Sequence, residues 1–192
     1  LLYIMFIGSL VFSASRSAIV AIGIFVILNR FRYFSNAAML LIFIAFVFSY
    51  EVLLIQLPNV IMSFGLEEYF RLETLEEGSG RFVAWNFAWE HIQDRFFVGG
   101  GFSHSEYVFR SFGQRLSILG HQGNVHNSYL TLWLDTGLIG IILFTLGIVR
   151  AVYLALANSP YALALTLAIL FSAYFESWLA ASLNPFTILF VL

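Results

Sequence analysis

Runs of about 20 apolar residues, each long enough at a 1.5 Å helical rise to cross a hydrocarbon core, constrain this chain more than any other feature. They recur from end to end and are broken by a single long polar stretch, 58 to 127. Charged side chains make up 10% of the sequence, against about a quarter in a soluble domain. With 60% hydrophobic residues and a mean hydropathy of +0.89, the chain reads as an all-α, polytopic membrane bundle. Apolar sequence runs off both ends, at Leu1-Leu2 and Phe190-Val191-Leu192, so the expectation is the C-terminal part of a larger protein.

Residues 1 to 12 form the tail of a first span, followed by the turn Ser13-Ala14-Ser15-Arg16-Ser17. A short second span, 18 to 28, ends in Asn29-Arg30-Phe31-Arg32. A third, 37 to 57, is expected to stop at Pro58, because proline interrupts a helix interior. A fourth, 128 to 149, ends at Arg150; a fifth starts at Pro160, a residue that the first turn accepts, and runs to about 183. Asn184-Pro185 then interrupts. This divides the chain into transmembrane helices over 1 to 57, a loop over 58 to 127, and further transmembrane helices over 128 to 192. Arg30, Arg32 and Arg150 share one face, which the positive-inside rule makes cytoplasmic. The long loop is then extracytoplasmic.

Four charges fall at one level. Counted from the cytoplasmic ends, Arg16, Glu51, Asp135 and Glu176 each lie roughly 21 to 24 Å up a core of about 30 Å. Ionisable groups at such depth face a bundle interior or a wet cavity, and an outward-opening cavity with Arg16 in its wall follows. Early helix ends with snorkelling side chains are an equal alternative for Glu51 and Asp135.

Within the loop, the acids of 64 to 77 read as solubilising, on a helical piece that ends at Gly78-Ser79-Gly80. Phe82, Trp85, Trp89, Ile92 and Phe96 then recur at helical steps, a stripe suited to the membrane interface. A neighbouring row, Arg81, Ala84, Ala88, His91 and Arg95, suggests an open groove with a cation at either end. Arg81 stands at the helix N-terminus, which favours anions, whereas Arg95 reads equally well as surface charge. Gly99-Gly100-Gly101 lacks a preceding strand and does not match a dinucleotide fingerprint; it reads as a hinge. The segment 102 to 125 reads as a loop over the cavity that gates access.

His126-Asn127 stands at the mouth of the fourth span. A histidine there can serve as a general base, though a lone interfacial histidine is more often simply hydrogen-bonded. On a continuous helix Asp135 would point away from His126, so a dyad between them is not expected. Several chemistries are excluded. The chain has no cysteine, hence no disulfide or thiolate site, and no lysine, hence no Schiff base or Walker loop. The four histidines lack metal-ligand spacing, and Gly-x-Ser-x-Gly is absent. A formal charge of -2 argues against nucleic acid as a partner. All nine basic residues are arginines, suited to bidentate grip on phosphate.

Ser15-Arg16-Ser17-Ala18 at a helix entry, Ser79-Gly80-Arg81 with Trp85, the glycine run, and His126-Asn127-Ser128-Tyr129-Leu130 leading into Asp135-Thr136-Gly137-Leu138-Ile139-Gly140 together resemble the O-antigen ligase and polymerase family. The resemblance covers most of the chain. It implies a membrane glycosyltransferase that needs neither metal nor cofactor and takes a glycan from an undecaprenyl-pyrophosphate carrier on the outer face of the bacterial cytoplasmic membrane. The acceptor would be another glycan, a lipid A-core or a protein. It implies that Arg16 and Arg81 bind the pyrophosphate leaving group and His126 activates the acceptor hydroxyl. Where the family often has Glu in a Glu-x-Gly pattern, this chain has Asp135, so no role carries over to it. The candidate catalytic residues are His126, Arg81 and Arg16; the candidate substrate-binding residues are Arg16, Arg81, Arg95, His91 and Asn127, with no metal ligand. A transporter of lipid-linked glycans, or a scaffold whose loop docks a partner, would carry similar arginines.

Overall fold

A computed structural model describes residues 16–31, 35–63, 81–121 and 123–180, and every regular element among them is a helix. The first expected span, the acidic piece before Arg81 and the sequence after 180 lie outside the described residues, as do the side chains of Arg16 and Glu51. The helices are α1 (Arg16–Arg30), α2 (Asn36–Ser63), α3 (Arg81–Asp94), α4 (His104–Ser111), α5 (Gly113–Ile118), α6 (Ser128–Asn158) and α7 (Pro160–Phe175). One of them, over Ser128–Ala157, is long and apolar enough to cross a membrane; Ser17–Arg30, Asn36–Ser49 and Tyr161–Phe175 are shorter apolar helices.

Local sequence sets the helix ends. Asn127 caps α6, its side-chain oxygen accepting from the Tyr129 and Leu130 amides. Ser159 caps α7 in the same way, with Pro160 in the first turn as expected. Three boundaries differ from the expected ones. The helix from Pro160 ends at Phe175 rather than near 183, because Glu176 takes extended backbone. The helix through Pro58 continues to Ser63, the strong helical preference of its apolar flanks outweighing the roughly 3 kcal/mol that an interior proline costs. α6 also continues past Arg150 to Asn158, because Ala-Val-Tyr-Leu-Ala-Leu-Ala offers nothing to stop it.

The chain packs in two layers. In the first, α1, α2 and α7 bury Ile24, Leu28, Met39, Leu163, Leu167 and Phe171. In the second, α3 to α5 close over the start of α6 and bury Ala84, Phe87, Ala88, Ile92, Val108, Phe109, Leu116 and Leu134. Trp85 packs against both cores, and its indole N–H donates to the Val125 carbonyl at 3.1 Å. This pattern corrects one expectation. Ala84 and Ala88 are completely buried, so the alanine row is packed rather than open, while Phe82 and Trp89 of the aromatic stripe are exposed. Alanines let neighbouring elements approach closely, and here those neighbours fill the space.

The α6 helix is not straight. At Gly137 the backbone takes φ 67° and ψ -170°, breaking it into two pieces. Tyr129 and Phe144 would stand ~22 Å apart along a straight helix, yet their rings meet at 6.1 Å. The first piece therefore bends sharply back towards the second, and the Tyr129 hydroxyl reaches the Leu170 carbonyl of α7 at 2.8 Å. The exposed peptide groups at the break are taken by the end of α3: Leu138 and Ile139 amides donate to Phe96 and Phe97 carbonyls, and Gly100 and Gly101 amides donate to Leu134 and Asp135 carbonyls. The glycine run is thus a clasp rather than a hinge. A side chain on Gly99 would stand 2.5 Å from the Asp135 carbonyl oxygen, and one on Gly137 would run into the backbone of Phe97 and Val98. The following segment is also helical, as α4 and α5, rather than an irregular loop.

Both glycines take positive φ, so alanine is strained there as well as crowded. Gly137→Ala is expected to destabilise the protein by ~2 kcal/mol or more. Gly147 of the same helix faces open space, and Gly147→Ala should be neutral or gain ~0.5 kcal/mol. Thermal unfolding of the two variants in detergent checks the contrast.

Candidate functional site

Four segments that are remote in sequence meet where α7 ends. Glu176 follows the last residue of α7 with extended backbone, which ends the helix and turns its carboxylate towards the openings of α1 and α3. Its Oε1 accepts from Ser17 Oγ at 3.1 Å and lies 3.5 Å from the Arg81 guanidinium. Its Oε2 lies 3.8 Å from His126 Nδ1. That last distance exceeds a hydrogen bond, but a shift of about 1 Å, or one bridging water, would complete it. Arg81, His126 and Glu176 are each partly exposed, so the cluster is open to a ligand on one side.

Each member is held by its own neighbourhood. Arg81 is the first residue of α3 and lies over the Phe175 ring at 5.7 Å; one turn later Trp85 stacks edge-on against Tyr174 at 5.2 Å. His126 sits in the left-handed region at φ 49°, a conformation that costs about 1–3 kcal/mol in a residue with a side chain. The Asn124 side chain accepts from its amide at 2.9 Å, and Ser177 Oγ accepts from the Asn127 amide at 3.2 Å. Ser128 Oγ donates to the Glu176 carbonyl at 2.6 Å and accepts from the Leu179 amide at 3.1 Å, tying the start of α6 to the end of α7. With Nδ1 turned to the carboxylate, Nε2 is the free nitrogen. It faces Gly123, where a side chain would stand 3.4 Å away, so glycine leaves that nitrogen accessible.

The expected residues divide into two groups. Arg81 and His126 come together at Glu176, and Arg16 opens α1 immediately before Ser17. Asn127 is buried, and its side-chain oxygen is committed to the α6 cap. His91 donates through Nδ1 to the Phe87 carbonyl of its own helix. Arg95 lies one residue beyond α3, whose length puts it ~20 Å from Arg81. His91 and Arg95 are instead neighbours of His104, whose imidazole is held below its ordinary pKa by burial first and by the Arg95 charge second. Asp135 belongs to that end too, accepting from the Ser105 amide at 2.7 Å. Its carboxylate is thereby taken up beside the break at Gly137 rather than by the Glu176 cluster. Among the described residues, no three His, Asp or Glu side chains gather as a metal site.

Beside the last two turns of α7 lies an apolar cavity of about 250 Å³. Its walls are Phe43 and Val47 of α2, Tyr129 of α6, and Phe171, Tyr174 and Phe175 of α7. Phe175 is shared: one face of this site is the ring beneath Arg81.

The O-antigen ligase family model matches residues 1–145, three quarters of the chain, with Arg81 and His126 inside the match. The chain belongs to the O-antigen ligase family. Family members are bacterial membrane proteins with a glycosyltransferase-like function on glycan and lipid-linked substrates. No curated protein and no solved structure gives a significant match. Glu176 lies beyond the matched residues of this O-antigen ligase family member, so it joins the site through the fold alone. Its sequence signal was a carboxylate at the depth of Arg16; what the sequence lacked was the pairing.

The histidine beside His126 gives the site a pH dependence. His121 is buried, its Nε2 donates to the Asn124 carbonyl at 2.9 Å, and burial holds its imidazole below the ordinary value. The unfolded chain takes up a proton near pH 6.5 while the folded site resists it. Stability due to His121 is therefore complete above about 6.5 and is lost as pH falls below it. Amide protection at 124 to 127, corrected for intrinsic exchange, should drop between about pH 6.5 and 5, and His121→Gln should flatten that dependence.

Proposed function

We propose that this protein transfers a glycan from an undecaprenyl-pyrophosphate carrier to an acceptor hydroxyl at the outer face of the bacterial cytoplasmic membrane, with Arg81, Arg16 and His126 at the reacting groups. The observation that carries this reading is the convergence of Arg81, His126 and the start of α1 on one carboxylate, Glu176. In this reading the chain is multi-pass, residues 58 to 127 are extracytoplasmic, and Arg30 and Arg150 mark the cytoplasmic side.

The chemistry follows from the placement. The acceptor oxygen attacks the anomeric carbon of the donor sugar while Nε2 of His126 takes the hydroxyl proton. The bond between that carbon and the phosphate oxygen breaks, and the electron pair leaves on the pyrophosphate. Arg81, with Arg16 from the head of α1, stabilises the charge that develops there. Glu176 is a positioning residue: it turns Nδ1 towards itself, leaving Nε2 as the acceptor, and favours the imidazolium once the proton has moved. The apolar cavity beside Phe175 suits the first isoprenoid units of the carrier, whose pyrophosphate then lies over the same ring.

With full-length protein, lipid-linked donor and acceptor in proteoliposomes, His126→Ala should lower turnover by ~10²–10⁴-fold. Arg81→Ala should lower it by ~10²–10³-fold. Glu176→Gln should cost less and should move the pH profile, which a merely structural loss would not do. Undiminished product from both His126→Ala and Arg81→Ala at normal expression overturns the reading. A protein that moves donor across the bilayer and forms no glycosidic bond is instead a transporter.

A further inference from the structure

We infer that the rim formed by residues 97 to 102 is seated in the outer leaflet of the bilayer and holds the outer layer of helices at a fixed depth. Phe97, Val98 and Phe102 are 64%, 72% and 85% exposed, an apolar edge that a water-facing loop would not carry. Its occupant is set by what it joins. The Phe97 carbonyl accepts from the Ile139 amide at 3.2 Å, so the edge is hydrogen-bonded to the top of the helix that is apolar enough to cross a membrane. From Ile139 that helix presents a continuous exposed apolar face through Ile142, Leu143, Leu146 and Val149.

Length fixes the level. From Arg150, the cytoplasmic marker, to Gly137 the straight part of α6 rises ~20 Å, and the reach of the exposed arginine side chain towards the cytoplasmic headgroups adds several Å, so together they span most of a hydrocarbon core of about 30 Å. The break at Gly137 then falls in the outer leaflet, and Phe97, Val98 and Phe102 lie against its acyl chains. Trp133, whose indole N–H donates to the Phe96 carbonyl at 3.2 Å, packs with Trp89 and Phe96 at the same level, where amphipathic rings favour the interface. The first piece of α6 bends back from this level, which leaves the His126 end within the outer leaflet's depth rather than above it.

This inference rests on the family's membrane placement and on the orientation proposed above, not on the proposed reaction, so it and the reaction can fail separately. The 192 residues contain no cysteine, and a single cysteine can carry an environment-sensitive nitrobenzoxadiazole label. Val98→Cys and Phe102→Cys are compared with Gln114→Cys, an exposed position on α5, in full-length protein in phospholipid nanodiscs. Labels at 98 and 102 should emit blue-shifted and be quenched by lipid spin-labelled near the headgroup end of the acyl chain, while the label at 114 keeps water-like emission and is quenched by aqueous iodide. Water-like emission with iodide quenching at 98 and 102 overturns the inference, whatever else covers that edge. Monodisperse elution shows each variant to be folded; Phe97→Cys, on the same rim, replaces a rim variant that is not, and Tyr107→Cys, exposed on α4, replaces the one at 114.

Discussion

A carboxylate at the end of an apolar helix has to be paired or wet, and Glu176 is both. Its two oxygens collect a serine from the head of α1, the guanidinium that opens α3 and the imidazole before α6, which fixes three helix openings against one helix end. The individual contacts are long and partly exposed, and pairs of that kind contribute about 0–1 kcal/mol each. Their value is therefore not stability but alignment. The bundle of α1, α2 and α7 has an apolar core, and the polar contacts at Glu176 bring Ser17, Arg81 and His126 together at one end of it.

The second constraint is the clasp at Gly137. Breaking a helix in an apolar setting exposes peptide groups that cost several kcal/mol each if left unpaired in lipid. The turn from Phe96 to Gly101 supplies partners on both sides of the break, and glycine at 99 and 137 lets the two backbones touch. The layer of α3 to α5 is thereby attached to the long apolar helix α6 by backbone rather than by side chains. Trp85, in contact with both cores, makes the second attachment, one turn from Arg81. The position of Arg81 relative to His126 is thus supported at two further points besides Glu176.

Much of this was legible in the sequence where one residue type decides the outcome. The apolar runs gave the helices, Pro160 the start of α7, and the depth of Arg16 and Glu176 gave two groups that do lie at the same end of the bundle. What could not be read was any outcome that depends on a distant partner. Pro58 inside α2 depends on the stability of the surrounding helix, and the buried alanines of α3 depend on which face the outer layer covers. The partner of Asp135 was equally invisible: the break at Gly137, two residues on, places its carboxylate at the Ser105 amide, thirty residues away in sequence. Glu176 was seen as a charge but not as a site member, because pairing across fifty residues has no local periodicity to reveal it.

The arrangement also explains why the resting contacts are loose. Arg81 stands 3.5 Å from Glu176, further than a charge-assisted hydrogen bond, which is about 2.7–2.9 Å. A tight pair would have to be broken before a phosphate could bind; a long one leaves the guanidinium fork free to meet a pyrophosphate while one carboxylate oxygen remains with Ser17. In the proposed reaction the other carboxylate oxygen stays facing Nδ1 of His126 while the donor is held at Arg81, without moving a helix. The strain at His126 fits the same logic: the left-handed backbone, held by the Asn124 cap on one side and the Asn127 cap on the other, aims Nε2 past Gly123 before any substrate arrives.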